Sequence, residues 1–150
     1  MHTALFRAIF AVSVATTCVA TAGCHVDEVN VNVDAKINAN VDASVDVNNV
    51  KQGDTIPIHM NVQNVYLVAP DEDPPADHVN DAAYIQIYLD DFDSDPLLVT
   101  AQVDVKVKIS ESVEPGEHTL KCRVHKHDGT PTNAEFDIKI TVKAKTSTGS

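Results

Sequence analysis

The chain has 150 residues, with 22 Asp and Glu against 11 Lys and Arg, a formal charge of −11, three Cys and no Trp. That length argues for one compact domain. The acidic balance argues against a nucleic-acid binder, which needs a basic face for phosphates, and against electrostatic docking on an anionic leaflet. A hydrophobic content of 43% is too high for wholesale disorder.

Residues 1–23 hold no Asp or Glu and a single base, Arg7. An apolar run from Ala8 to Ala15 follows, then small residues up to Gly23. A positive start, a short apolar centre and a small-residue cleavage site describe a secretory signal peptide, too short to span a bilayer. Its end, Ala22-Gly23-Cys24, resembles the lipobox of bacterial lipoproteins, with Thr21 where Leu is usual. The resemblance implies lipidation of Cys24, cleavage before it and membrane anchoring through the lipid. His25 after the Cys, in place of Asp, implies the outer membrane of a bacterial cell envelope. The alternative is an ordinary secretory signal. The mature chain would carry 22 acids and ten bases, a charge of −12, and two Cys, Cys24 and Cys122. With Cys24 lipidated, Cys122 is a lone thiol. Without lipid, a Cys24–Cys122 bridge is the rival in an oxidising compartment.

Residues 29–48 alternate without a break between Val, Ala or Ile at odd positions and Asn, Asp, Lys or Ser at even ones. Period two is a strand signal. A single strand of that length would span about 66 Å, far beyond a usual strand. The low-complexity stretch reads as a stalk over residues 24–50, its later part free to pair on the domain as a first strand. The alternative is a self-associating edge segment.

A domain over residues 51–145 follows, with residues 146–150 as a disordered tail. Thr55–Ala69 carries Ile56, Ile58, Met60 and Val62 on one face, then Val65 and Leu67 in the opposite phase, so a bulge or bend is expected near Gln63-Asn64. Tyr84–Asp90 puts Ile85, Ile87 and Leu89 inward. Leu97–Ile109 puts Val99, Ala101, Val103, Val105, Val107 and Ile109 on one side. Thr119–His127 turns Leu120, Cys122 and Val124 inward, and Ala134–Lys143 does the same with Phe136, Ile138, Ile140 and Val142. Pro, Gly, Asp and Ser clusters separate them. The prediction is an all-β, antiparallel β-sandwich of six to eight strands. Residues 115–142, from Pro115-Gly116 through Asp128-Gly129-Thr130-Pro131 to Val142, resemble the last hairpin of an immunoglobulin-like bacterial domain, although the Cys–Trp–Cys hallmark is absent.

Motifs for a P-loop, GxSxG, HExxH, CxxC or GxGxxG are missing, and no nucleophile–base spacing suggests an enzyme. Tyr84 and Tyr88 leave the same outer strand face and form the best aromatic contact pair. His125 and His127 likewise share a face, a spacing suited to Cu or Zn. If consecutive segments run alternately up and down, His59 falls at their end, together with the Asp90–Asp95 loop. Two acidic loops, Asp71-Glu72-Asp73 with Asp77 and Asp81, and Asp90–Asp95, are candidates for Ca. The same alternation places the stalk at the Asp90–Asp95 end, leaving Pro70–Asp81 and Ser110–His118 outward as an acidic surface for a cationic ligand or an envelope protein. The expectation is a lipid-anchored, non-catalytic binding or structural module, with periplasmic Cu/Zn binding as the alternative and no resident cofactor required.

Overall fold

The structure, a computed structural model, describes residues 34–146. The segment read as a signal peptide, Cys24 and the opening of the alternating stretch lie outside the described residues, as do residues 147–150.

The strands are β1 (Lys36–Val41), β2 (Val50–Lys51), β3 (Thr55–Gln63), β4 (Tyr66–Leu67), β5 (Ala82–Leu89), β6 (Leu98–Thr100), β7 (Asp104–Lys108), β8 (Gly116–Lys126) and β9 (Pro131–Lys143). They form two sheets. One has the order β1-β3-β7, the other β2-β9-β8-β5-β4, with β6 also against β5. This is an immunoglobulin-like β-sandwich. The N-terminal strand is divided between the sheets, and the final hairpin lies beside β5 in the larger one. Among the described residues no fourth strand flanks β7.

The alternation predicted from sequence builds the core where the chain stays in one sheet. Leu120, Cys122 and Val124 from β8 meet Ile138, Ile140 and Val142 from β9 and Ile85 and Ile87 from β5. The smaller sheet contributes Ile37, Ala39, Ile56, Ile58, Met60, Val105 and Val107. Each fully buried aliphatic side chain contributes about 1.5–3 kcal/mol, so these two faces hold the sandwich together.

The folded region begins earlier than composition suggested. Ile37, Ala39 and Val50 are buried, so residues 36–50, placed by sequence in the stalk, belong to the sandwich. Pro57 decides where β1 stops. The Asp42 N–H donates to the Pro57 carbonyl at 3.2 Å, but Pro57 has no N–H to return the bond. Past Val41 the chain instead forms two successive turns. In each an Asp carboxylate accepts a nearby amide: Asp42 from Ser44 at 2.8 Å and Asp46 from Asn48 at 3.0 Å.

Two changes of sheet account for the phase errors. The bend expected at Gln63-Asn64 is a crossing from the smaller sheet (β3) to the larger (β4). Asn64 takes the left-handed conformation there, φ 64°, and its side chain donates to the Asp34 carbonyl at 2.8 Å. The single segment predicted over Leu97–Ile109 is also two strands, β6 in the larger sheet and β7 in the smaller. Val105, Val107 and Ile109 are buried as expected, but Val99 is 40% exposed because β6 presents the opposite phase.

The up-and-down alternation fails between β6, antiparallel to β5, and β7, antiparallel to β3 through Thr55↔Lys108, whereas β4 runs parallel to β5 through Tyr66↔Ala82. The segment after residue 67 therefore returns to the end it left. Because β5 pairs antiparallel with β8, Ala83 opposite Lys126 and Leu89 opposite Leu120, residues 68–81 share an end with the β8–β9 turn, and the Asp90–Asp95 loop lies at the other, beside the start of β8. The described chain also enters at the 68–81 end, since Lys36 pairs with Gln63. The entry point is thus opposite to the one expected from sequence, because residues 36–41 run through the sandwich, and residues 110–118 lie beside the Asp90–Asp95 loop rather than beside 68–81.

Candidate functional site

His59 and His125 sit on different sheets, β3 and β8, so the three-histidine arrangement does not form. His59 lies across from Asp104 in the β3–β7 register, its Nδ1 2.6 Å from the Asp104 carboxylate, at the exposed surface. Asn40, Asp42, Pro57, His59, Asp104 and Lys106 line a shallow groove of about 450 Å³ there. Pro57, where the β1 ladder stops, is among them.

His125 is 7% exposed. A register irregularity between Arg123 and His125 interrupts the β8–β9 ladder. Its ring stacks on Tyr84, opposite in the β5–β8 register, with centroids 5.6 Å apart and planes at 19°. Nδ1 lies 3.2 Å from the Gly129 carbonyl, an acceptor only, so Nδ1 carries the proton. Nε2 is 3.4 Å from the Tyr88 hydroxyl. Burial, the leading cause, holds the imidazole below its usual range and keeps it neutral. His127 donates from Nε2 to the Glu72 carbonyl at 2.8 Å, fastening the 68–81 segment to the β8–β9 turn. Among the described residues no three metal-ligating side chains come together.

Tyr84 and Tyr88 do leave the outer face of β5, but they are 6% and 5% exposed and are not a contact surface. Tyr84 lies under the β8–β9 turn, its hydroxyl 3.8 Å from where a Cβ on Gly129 would stand. Tyr88 is covered by Phe92, which packs edge-on at 5.2 Å. Arg123 lies over the Phe92 ring at 3.5 Å while bonding to Glu135 through Nε at 2.7 Å. Tyr88 donates to Gln86, and Lys121 pairs with Asp137. The outer face of the larger sheet is thus closed by its own side chains. Sequence reasoning missed this because nothing local shows that Phe92 folds back from its loop. Burial raises both phenols above their usual range; Asp128 adds to the shift at Tyr84, whereas Arg123 opposes it at Tyr88.

Asp71, Glu72 and Asp73 are exposed, at the end where the described chain enters. In the Asp90–Asp95 loop, Asp91 accepts from the amides of Asp93 and Ser94 at 3.0 and 2.8 Å, so one of its oxygens is used within the turn.

The best-built polar cluster is one that sequence spacing did not single out. His118 holds the Asp90 carboxylate through Nδ1 at 2.8 Å and the Glu114 carbonyl through Nε2 at 2.7 Å. Both partners accept, so both nitrogens must donate, and the ring is an imidazolium. The bond to Asp90, ahead of the others, raises the His118 pKa above 6.5. Asp90 has φ 67° and exchanges bonds with Thr119, donating to its carbonyl at 2.8 Å and accepting its N–H at 2.9 Å. Burial pushes the Asp90 carboxyl upward, but the bonds from His118 and Thr119 outweigh it and leave the pKa below 3.8. Asp90 and His118 are 28 residues apart and meet only because β5 ends beside the start of β8.

Cys122 is a free thiol with no exposure, between Leu120 and Val124, and burial pushes its pKa up to about 12. A bridge from it would require opening the core.

No family model matches the sequence, and no curated protein matches it. Among solved structures, the chain is similar to the solution structure of the PKD domain (329–428) of human KIAA0319. The two are 14% identical, 77% of this chain and 87% of that one are covered, and the TM-score is 0.36. The assignment to an immunoglobulin-like sandwich rests on this chain's own strand order.

Proposed function

We propose that this protein is a lipid-anchored, non-catalytic binding or structural module of a bacterial cell envelope. The observation that carries the non-catalytic part is where the histidines go. His59, His118 and His127 each bond to a carboxylate or a backbone carbonyl on another strand or loop, and His78 and His125 bond to Asp81 and Gly129 within their own turns. The Tyr88 hydroxyl, 3.4 Å from His125 Nε2, is buried and donates to Gln86, so it does not present a nucleophile to a substrate. The anchoring part rests on Ala22-Gly23-Cys24 and the apolar run before it. The described chain enters at the 68–81 end, and the opposite end of the sandwich carries the Asp90–Asp95 loop and residues 110–118.

Anchoring is tested by growing cells that express the full chain with an alkyne-bearing fatty acid. Label on the membrane-bound protein, lost in Cys24→Ser, is the expected outcome. An unlabelled protein recovered in the soluble fraction refutes it. The module reading is tested by in-cell cross-linking from a photoreactive residue placed at Ser94. Transfer to an envelope component supports it.

A further inference from the structure

Among the described residues four large apolar side chains stand exposed: Tyr66, Val79, Leu97 and Val99. Three of them share one strip. β8 holds one side of β5, and β4 and β6 lie end to end along the other. Tyr66 sits opposite Ala82 and Val99 opposite Gln86, on the outward face of β5 that carries Tyr84 and Tyr88. Leu97, two residues before Val99, takes the same face, and its N–H donates to the Ile87 carbonyl at 2.7 Å. Their neighbours Leu67 and Leu98 turn inward against the core. Val79 follows His78, whose ring stacks on Tyr66 at 4.1 Å. Measured along β5 from Ala82 to Tyr88, the strip is about 20 Å long.

The edge beside this strip is open. The Asp90 N–H donates to the Thr119 carbonyl and the His127 N–H to the Ala82 carbonyl, which turns the even-numbered backbone of β5 toward β8. Ile85 and Ile87 therefore face β6 through Thr100 and Leu98. The N–H and C=O of Val99 point off the sheet, where no strand of the described residues pairs with them. Lys106 and Lys108 blunt the edge at β7, but β6 carries no charge. Both ends of the strip are acidic. Exposed Asp93 and Asp95 precede Leu97, and Asp77 and Asp81 flank the ring that stacks on Tyr66. Lys121 and Arg123, on the same face of the sheet, are already paired with Asp137 and Glu135.

We propose that this strip is a docking surface for an extended segment of a partner protein, apolar at alternate positions and basic at both ends. The proposal rests on the binding-module reading above. The segment's apolar side chains cover Tyr66, Leu97 and Val99, and its backbone continues the sheet beyond Val99. Its basic ends meet Asp93 and Asp95 on one side and Asp77 and Asp81 on the other. A second copy, in either direction, would set acid against acid, and an anionic lipid surface would meet the same repulsion.

The test titrates the full chain, in neutral detergent, with a fluorescent peptide read by anisotropy. The peptide has about seven residues of alternating Val and Thr, enough to span the strip, with paired arginines at each end. Salt-sensitive binding in the micromolar range is expected. Val99→Lys should weaken it roughly tenfold or more, and so should glutamates in place of the terminal arginines. Asn61→Lys, which adds the same charge on the outer face of the smaller sheet, should not. Equal binding by the two lysine variants, equal binding of the Glu-ended peptide, or no binding up to about 1 mM overturns the proposal. A dimer that forms without peptide and is lost in Val99→Lys overturns it as well. Photoreactive residues at Ser94, Asn61 and Val99 separate this proposal from the module reading. Transfer from the other positions but never from Val99 removes the strip and leaves the module, whereas no transfer from any of them removes both.

Discussion

Replacing His118 by Gln removes the imidazole that ties Asp90, at the end of β5, to the Glu114 carbonyl. Charge-assisted bonds contribute about 1.5–3 kcal/mol each when well shielded. Here His118 is 15% exposed and Asp90 47% exposed, so water screens about half of the pair. The loss should therefore be about 1–2 kcal/mol at pH 5. The pH dependence separates a charged latch from ordinary packing. The folded-state pKa of His118 lies above its unfolded value of 6.5, so its stabilisation is fully present below pH 6.5 and disappears as pH rises through the folded pKa. Asp90 bounds the window on the other side. Its folded pKa lies below 3.8, so its contribution is present above that value and lost as pH falls through the folded pKa. Urea unfolding of the natural chain and of His118→Gln across pH 4 to 9 should show the largest gap on the acidic side of neutrality and a shrinking gap on the alkaline side. A gap that stays constant or widens above pH 8 would refute the imidazolium assignment.

Three further outcomes follow from the geometry. Asn64→Ala should cost about 1–2 kcal/mol in urea unfolding, from the left-handed backbone and the lost bond to Asp34, while Asn64→Gly should cost less; equal losses would mean that the backbone is not the cause. His125→Ala should destabilise by about 2–3 kcal/mol through lost stacking and the freed Gly129 carbonyl, whereas His59→Ala should stay within about 0.5 kcal/mol. Because burial lowers the His125 pKa, that ring's contribution is present above pH 6.5 and fades as pH falls through the folded pKa, the reverse of His118. Cys122, with its thiol at about 12, should resist iodoacetamide in the native chain at pH 8 and react fully in denaturant; rapid native labelling would contradict its burial.

Alternation along β8 and β9 was enough to place Leu120, Cys122, Val124, Ile138, Ile140 and Val142 inside, because a strand that stays in one sheet has a side-chain period of two. It was not enough at Asn64 or between Thr100 and Asp104. There the chain changes sheets, and the inward face is redefined without any interruption of the pattern. Val99 and Val105 share a parity but not a fate. Direction was harder still. The reversal of the chain between β6 and β7 has no local signature, and it moved residues 110–118 to the Asp90–Asp95 end and the β8–β9 turn to the 68–81 end, the opposite of what was expected. The candidate site fared accordingly. His125 was picked for its outward direction, which is correct, yet Tyr84 and the β8–β9 turn cover it. His118 and Asp90 were not brought together because their meeting depends on a register that composition does not reveal.

The parallel pairing of Val50 with Val142 has a bearing on how the protein is made. The earliest strand of the larger sheet waits for the last one, and β8 too gains its second neighbour only when β9 arrives. Contacts of such long sequence separation form slowly, since the loop must close before any of them can repay it. A chain emerging N-terminus first would therefore expose Ile56, Ile58 and Met60 without a complete facing sheet until β9 has emerged. Whatever receives this protein during biogenesis meets an unfolded chain, and cutting it short before Ile140 should leave no partially assembled sandwich to rescue.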